Sequence, residues 1–155
     1  MKKKSASANI ISNQRAYYDY SVKDEYIAGI VLTGAETKSL RMGRGSLRGA
    51  FATIKDSEAW LNNMQIMPMN TNRAHLSESS QTRARKLLLK QKELTELAQV
   101  KDQGNAIVPL KMRTKGRYIK IVIATAKGKK AYDKRAKIKE RDTNREVHRD
   151  LKRYS

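Results

Sequence analysis

Apolar and polar positions alternate most regularly in residues 118–125, where Ile119, Ile121 and Ile123 share one face and predict a half-buried strand. Residues 106–112 repeat the pattern with Val108, Leu110 and Met112, and Thr114-Lys115-Gly116-Arg117 supplies a hairpin turn between the two. Pro109 donates no ladder bond, which places it at an edge or a bulge. A second hairpin is expected from residues 50–54, a turn at Lys55-Asp56-Ser57, and residues 59–66. Residues 26–32 are apolar on both faces, as a central strand would be, with residues 18–22 leading into it. Two helices interrupt the strands. Thr33 and Glu36 have capping-box spacing with Gly43 at the far end, and residues 90–103 carry Leu94, Leu97 and Ala98 as a buried stripe ended by Gly104. Residues 67–82 show no periodicity and read as a polar loop.

About six short antiparallel strands with peripheral helices predict a mainly β fold, an OB-like closed barrel over residues 10–126. Charge divides the remainder. Of 34 Lys and Arg and 15 Asp and Glu, residues 127–155 hold 12 and 5, more than twice the density of positive charge found before them. Apolar side chains are sparse there, and only Val147, Leu151 and Tyr154 form a weak stripe. The segment reads as a basic tail, mobile alone and helical on a polyanionic partner. Residues 1–9 read as a short disordered basic arm.

A net charge of +19 on 155 residues seeks a polyanion, nucleic acid before membrane. The absence of cysteine excludes a disulfide framework and thiolate metal sites. No apolar run approaches the roughly 18 residues of a bilayer span, so a cytoplasmic protein with no membrane partner is expected. His75 and His148 have no partner at helical spacing, and Asp24, Glu25 and Asp56 read as solvated strand ends. No catalytic residue, metal site or cofactor is therefore expected. Binding chemistry is richer. Arg83, Arg85 and Lys86 run into Leu87-Leu88-Leu89, joining phosphate-binding groups to an apolar patch, and Lys38, Arg41 and Arg44 form a second basic cluster. Tyr17, Tyr18, Tyr20 and Tyr132 offer faces for stacking on bases.

The segment Gly29-Ile30-Val31-Leu32-Thr33-Gly34-Ala35-Glu36-Thr37-Lys38-Ser39-Leu40-Arg41 closely resembles the signature of the small protein B (SmpB) family, which binds transfer-messenger RNA. The resemblance extends through Asn13-Gln14-Arg15-Ala16-Tyr17, Ile66-Met67-Pro68 and Arg83-Ala84-Arg85-Lys86-Leu87-Leu88-Leu89. It closes with Ala126-Lys127-Gly128-Lys129-Lys130-Ala131-Tyr132-Asp133-Lys134-Arg135 and Ile138-Lys139-Glu140-Arg141. Many relatives carry a glutamate where this chain has Ile27, an Asp-Ser-Tyr run where it has Gly49-Ala50-Phe51, and valine where it has Thr37.

The resemblance implies a part in trans-translation, the rescue of ribosomes stalled on messages without a stop codon. The barrel would hold the tRNA-like domain of transfer-messenger RNA and deliver it to the ribosomal A site. The tail would fold in the empty decoding centre and message channel of the small subunit. On this reading Asn13, Arg15, Lys38, Arg41, Arg44, Arg83, Arg85, Lys86 and Leu88 face transfer-messenger RNA. Lys127, Gly128, Lys129, Lys130, Tyr132, Asp133, Lys134, Arg135, Lys139 and Arg141 serve the ribosome. Elongation factor Tu and alanyl-tRNA synthetase enter as companions on the charged RNA, and the protein acts as a monomer on RNA. The competing reading is a generic basic ribosome-associated RNA-binding protein.

Overall fold

The computed structural model describes residues 10–71, 73–128 and 131–153. The expected arm, residues 129–130 and Tyr154 lie outside the described residues. The chain opens with β1 (Ile10–Ser12) and α1 (Gln14–Asp19), then runs through β2 (Tyr20–Ile30) into α2 (Gly34–Arg41). The capping box predicted for α2 is formed: Thr33 Oγ1 accepts from the Glu36 N–H (3.2 Å), and the Thr33 N–H donates to Glu36 Oε1 (2.9 Å). Gly43 closes that helix at φ 76°.

Next come β3 (Gly45–Ser46), the hairpin β4 (Phe51–Lys55) and β5 (Glu58–Asn62), and β6 (Gln65–Ile66). Asp56 and Ser57 both hold positive φ, which makes the hairpin a two-residue turn of the primed kind. The second arm does not run on to residue 66. Asn63 turns to φ 63°, and β6 leaves to pair with β3 instead. The presumed polar loop contains a 3-10 turn at Arg73–His75, the buried Leu76, and α3 (Glu78–Gln81).

The chain completes itself with β7 (Arg85–Leu88), α4 (Gln91–Asp102), β8 (Ala106–Arg113), β9 (Lys120–Gly128) and α5 (Ala131–Arg153). Six antiparallel strands close into a ring in the order β8-β4-β5-β7-β2-β9, with β9 returning to β8, and β1 adds to β8. The expected barrel is therefore present. Pro109 sits at a register shift between β8 and β9, the bulge its missing N–H requires.

Two expectations about faces exchange places. β9 is buried on both sides: Ile119, just ahead of it, and Ile121 and Ile123 enter the barrel core, while Val122, Ala124 and Ala126 join a second cluster with Ala16 of α1. β2 carries the open face instead, and Ile27 is 64% exposed. A short helix over the outside of β8 and β9 accounts for the difference.

The seam between β4 and β8 is thin, with Ala52 and Ile107 its only paired residues. Asn13 closes it. Its backbone N–H donates to the Leu110 carbonyl (2.7 Å), and its Nδ2 amide donates to the carbonyls of Pro109 (2.8 Å) and Leu47 (3.1 Å). Its Oδ1 accepts from the Ala16 N–H and caps α1. The tail forms one helix, α5, on which Ile138, Val147 and Leu151 are exposed.

Candidate nucleic-acid interface

The three consecutive leucines are sorted by the pleat of β7. Leu87 enters the core, Leu89 packs against it part-buried, and Leu88 stands 53% exposed on the outer face. Leu88 lies opposite Gly29 of β2, and Gly29 lies opposite Lys120 of β9. A Cβ on residue 29 would sit 3.3 Å from the Leu88 Cβ, so glycine lets the leucine lie across the strand. Grooves of about 330 and 360 Å³ flank this point, and both are lined by Gly29, Leu88 and Lys120.

Tyr118, 69% exposed, borders the first of these grooves, and Ile27 borders the second. The Arg117 guanidinium lies 5.5 Å from the Tyr118 ring centre, and Arg41 Nη2 donates to the Arg117 carbonyl (3.3 Å). Lys90 adds another exposed cation. Apolar side chains, one aromatic face and several cations thus share an open surface, the combination that stacks bases and holds phosphates.

Not every residue expected at an RNA surface reaches one. Arg85 is fully buried and bonded to Glu36, which is itself 1% exposed. Its remaining N–H groups donate to the carbonyls of Met64, Ser80, Gln81 and Arg83 at 2.8–3.2 Å. With every donor engaged below the surface, it braces α2, β7 and α3 against one another and is removed from the interface. Asn13 is removed for the same reason, since its side chain closes the β4–β8 seam. Arg83 is divided: it bonds to Glu36 yet keeps a third of its side chain in solvent. Burial raises the Glu36 carboxyl, but hydrogen bonds from Arg83, the Thr33 N–H and Arg85 outweigh it and hold the group below its ordinary range. Burial pushes the Arg85 guanidinium down, against the pull of Glu36.

Lys86 is ion-paired with Glu58 (3.0 Å) at the surface. Lys38, Arg41 and Arg44 are exposed as expected on and after α2, and Arg44 Nη1 donates to the Pro68 carbonyl (3.3 Å). Arg15 is exposed on α1, paired with Asp19 (2.9 Å) and set over the Tyr18 ring. Lys127 and Gly128 belong to β9, opposite Ser21 and Tyr20. Tyr132, Asp133 and Lys134 fall in the first turns of α5, and Arg135, Lys139 and Arg141 are exposed along it. Sequence reasoning missed Arg117, Tyr118 and Lys120. Their signal was available, because Tyr118 and Lys120 alternate with Ile119 and Ile121 and must occupy the opposite face.

Residues 10–153 match the family described as SmpB protein. The SsrA-binding protein of Synechococcus sp. strain JA-2-3B'a(2-13) is 44% identical over 144 residues, which cover 92% of this chain and 93% of that one. The SsrA-binding protein of Streptococcus mutans is 41% identical over 152 residues, 97% of each chain. A chain from the solved structure "tmRNA-SmpB: a journey to the center of the bacterial ribosome" superposes with a TM-score of 0.64 at 39% identity, covering 79% of this chain and 86% of that one. An antiparallel ring with an apolar and cationic outer face, matched along nearly its whole length by these relatives, places the chain in the SmpB family.

Proposed function

We propose that this chain binds transfer-messenger RNA and serves in trans-translation. The observation that carries the reading is the surface around Gly29, where Leu88, Tyr118, Arg117 and Lys120 offer apolar, stacking and phosphate-binding groups within one patch. That patch, with Ile27, Lys38, Arg41, Arg44 and the exposed part of Arg83, takes the tRNA-like domain. It contributes binding and orientation, and the chain performs no catalytic step of its own.

The tail acts on the ribosome. Residues Lys127 to Lys130, Tyr132 to Arg135, Lys139 and Arg141 meet small-subunit RNA, with α5 lying in the decoding centre and message channel when no message fills them. A densely cationic helix with little apolar surface suits a channel walled by phosphates. The protein works in the cytoplasm as a monomer on its RNA, with elongation factor Tu and alanyl-tRNA synthetase acting on the same charged RNA. No helix among the described residues is long and apolar enough to cross a membrane.

Filter binding of the full chain and of a 1–128 fragment to transfer-messenger RNA and an ordinary tRNA, across several salt concentrations, tests this reading. Both forms should bind, and both should prefer transfer-messenger RNA. Loss of that preference would return the chain to a generic basic RNA binder.

A further inference from the structure

Thioethers frame the last cation of the α2 cluster. Met42, which ends α2, is 68% exposed, and Met67, just beyond β6, is 41% exposed. Arg44 ties the two segments together. It follows Met42 by two residues, its backbone carbonyl accepts from the Met67 N–H (2.9 Å), and its Nη1 donates to the Pro68 carbonyl (3.3 Å). An unbranched thioether with three rotatable bonds can turn toward a guanidinium that is bonded one residue away. Met64 and Met112, by contrast, are wholly buried in the barrel core. Exposure thus divides these four methionines into two sulfurs open to solutes beside Arg44 and two sealed from them.

We propose that Met42 and Met67 form a reversible oxidation site whose sulfoxides draw Arg44 away from RNA. A peroxide is the oxidant. The thioether sulfur attacks one peroxide oxygen, an S–O bond forms as the O–O bond breaks, and the second oxygen leaves as water. Sulfur loses two electrons and the peroxide gains them. A dithiol-dependent sulfoxide reductase reverses the step, releasing the oxygen as water while its two thiols close to a disulfide. A thioether is a weak acceptor, whereas the sulfoxide oxygen is polar and accepts readily from a guanidinium. Arg44 then has an acceptor within the protein that competes with phosphate for its N–H groups. The end of α2 is undisturbed, because backbone bonds from Met42 and Gly43 to Lys38, Ser39 and Leu40 hold it. The inference rests on the RNA-binding reading above for its consequence, and adds to it a chemical control.

The chain has no cysteine, so hydrogen peroxide can be titrated into the full-length protein without thiol oxidation. Peptide mass spectrometry should find one added oxygen on Met42 and on Met67 well before Met64 or Met112. The oxidised protein should melt as the untreated one does. Its log–log salt slope for a transcript of the tRNA-like domain should fall by about 0.7–0.9, the share of one phosphate contact. A sulfoxide reductase with dithiol should restore the slope. The double variant Met42→Leu, Met67→Leu should bind like the untreated wild type and keep its slope after peroxide. Arg44→Ala should show the lower slope untreated, with no further change on oxidation. The proposal is overturned if the buried methionines oxidise as fast, or if the oxidised wild type keeps its slope. A loss that persists in the double variant, or a further loss in Arg44→Ala, overturns it equally. An untreated wild type with no preference for the tRNA-like transcript over an ordinary tRNA overturns the functional reading instead, and the slopes measured on either RNA still decide the oxidation site.

Discussion

Glu36 and Arg85 form an ion pair wholly inside the protein, with 1% and 0% of their side chains exposed. Removing either partner strands the other charge in the core, which typically costs about 3–5 kcal/mol. Arg85→Met and Glu36→Gln should each move the urea midpoint well down, with Arg85→Met the worse because it also abandons four carbonyls. If both variants unfold at the wild-type midpoint, the brace is not holding the fold. Arg85→Met that remains folded should keep the wild-type salt slope for RNA.

Stability should also fall with acid at this pair. The folded-state pKa of Glu36 is depressed, so its contribution is complete above the ordinary value of 4.5 and is lost as pH falls through the folded value. Urea midpoints between pH 7 and pH 3 should therefore drop below about pH 4.5 in the wild type. Glu36→Gln should lack that part of the drop.

Leu88→Ser separates binding from folding. More than half of the side chain is already in solvent, so the melting temperature should hardly move. Covering the leucine with RNA contributes on the order of 1–2 kcal/mol, so the Kd should rise by roughly 5- to 30-fold. An unchanged Kd would take Leu88 off the RNA surface.

Asn13→Ala should behave in the opposite manner. It leaves the carbonyls of Leu47 and Pro109 without their donor and uncaps α1, at about 1–3 kcal/mol. Thermal melting should register that loss, while the salt slope for RNA stays as in wild type. A reduced slope at unchanged melting temperature would mean that Asn13 touches RNA after all.

Cutting the chain after Gly128 should leave the barrel's melting curve and its preference for transfer-messenger RNA in place. Peptide tagging on stalled ribosomes should disappear. Tagging that survives the cut would remove the tail from the mechanism.

The barrel was legible where side chains obey one rule at a time. The β4–β5 turn and the Thr33–Glu36 cap depend on neighbours in sequence, and each appears as read, whereas the 118–125 alternation placed a strand but gave it one buried face where the structure has two, because α1 covers the other. β7 was not legible as a strand, because Arg85 points a charge into the core and its buried partner Glu36 is 49 residues away. The same long-range pairing made Arg85 look like a phosphate ligand. Asn13 misled similarly: its acceptors at Leu47 and Pro109 lie 34 and 96 residues along the chain. α1 escaped notice because six residues with a single buried Ala16 give too short a period to read. The surface around Gly29 was half legible, since Leu88 and Arg41 were marked while Arg117 was absorbed into a turn and Tyr118 was read only as part of a strand.

Ring closure sets the order in which this chain can mature. β2 is made early, yet its long partner is β9, so residues 20–29 wait for residues 120–128. Until β9 leaves the site of synthesis, β2 and β8 each present an open row of amide and carbonyl groups, the kind of edge on which chains aggregate. Such distant pairing slows folding as well. A nascent chain that stops short of Lys120 has no barrel in reserve and is a natural target for chaperones and proteases. The domain is completed as a unit, only once residues 120–128 are free to pair.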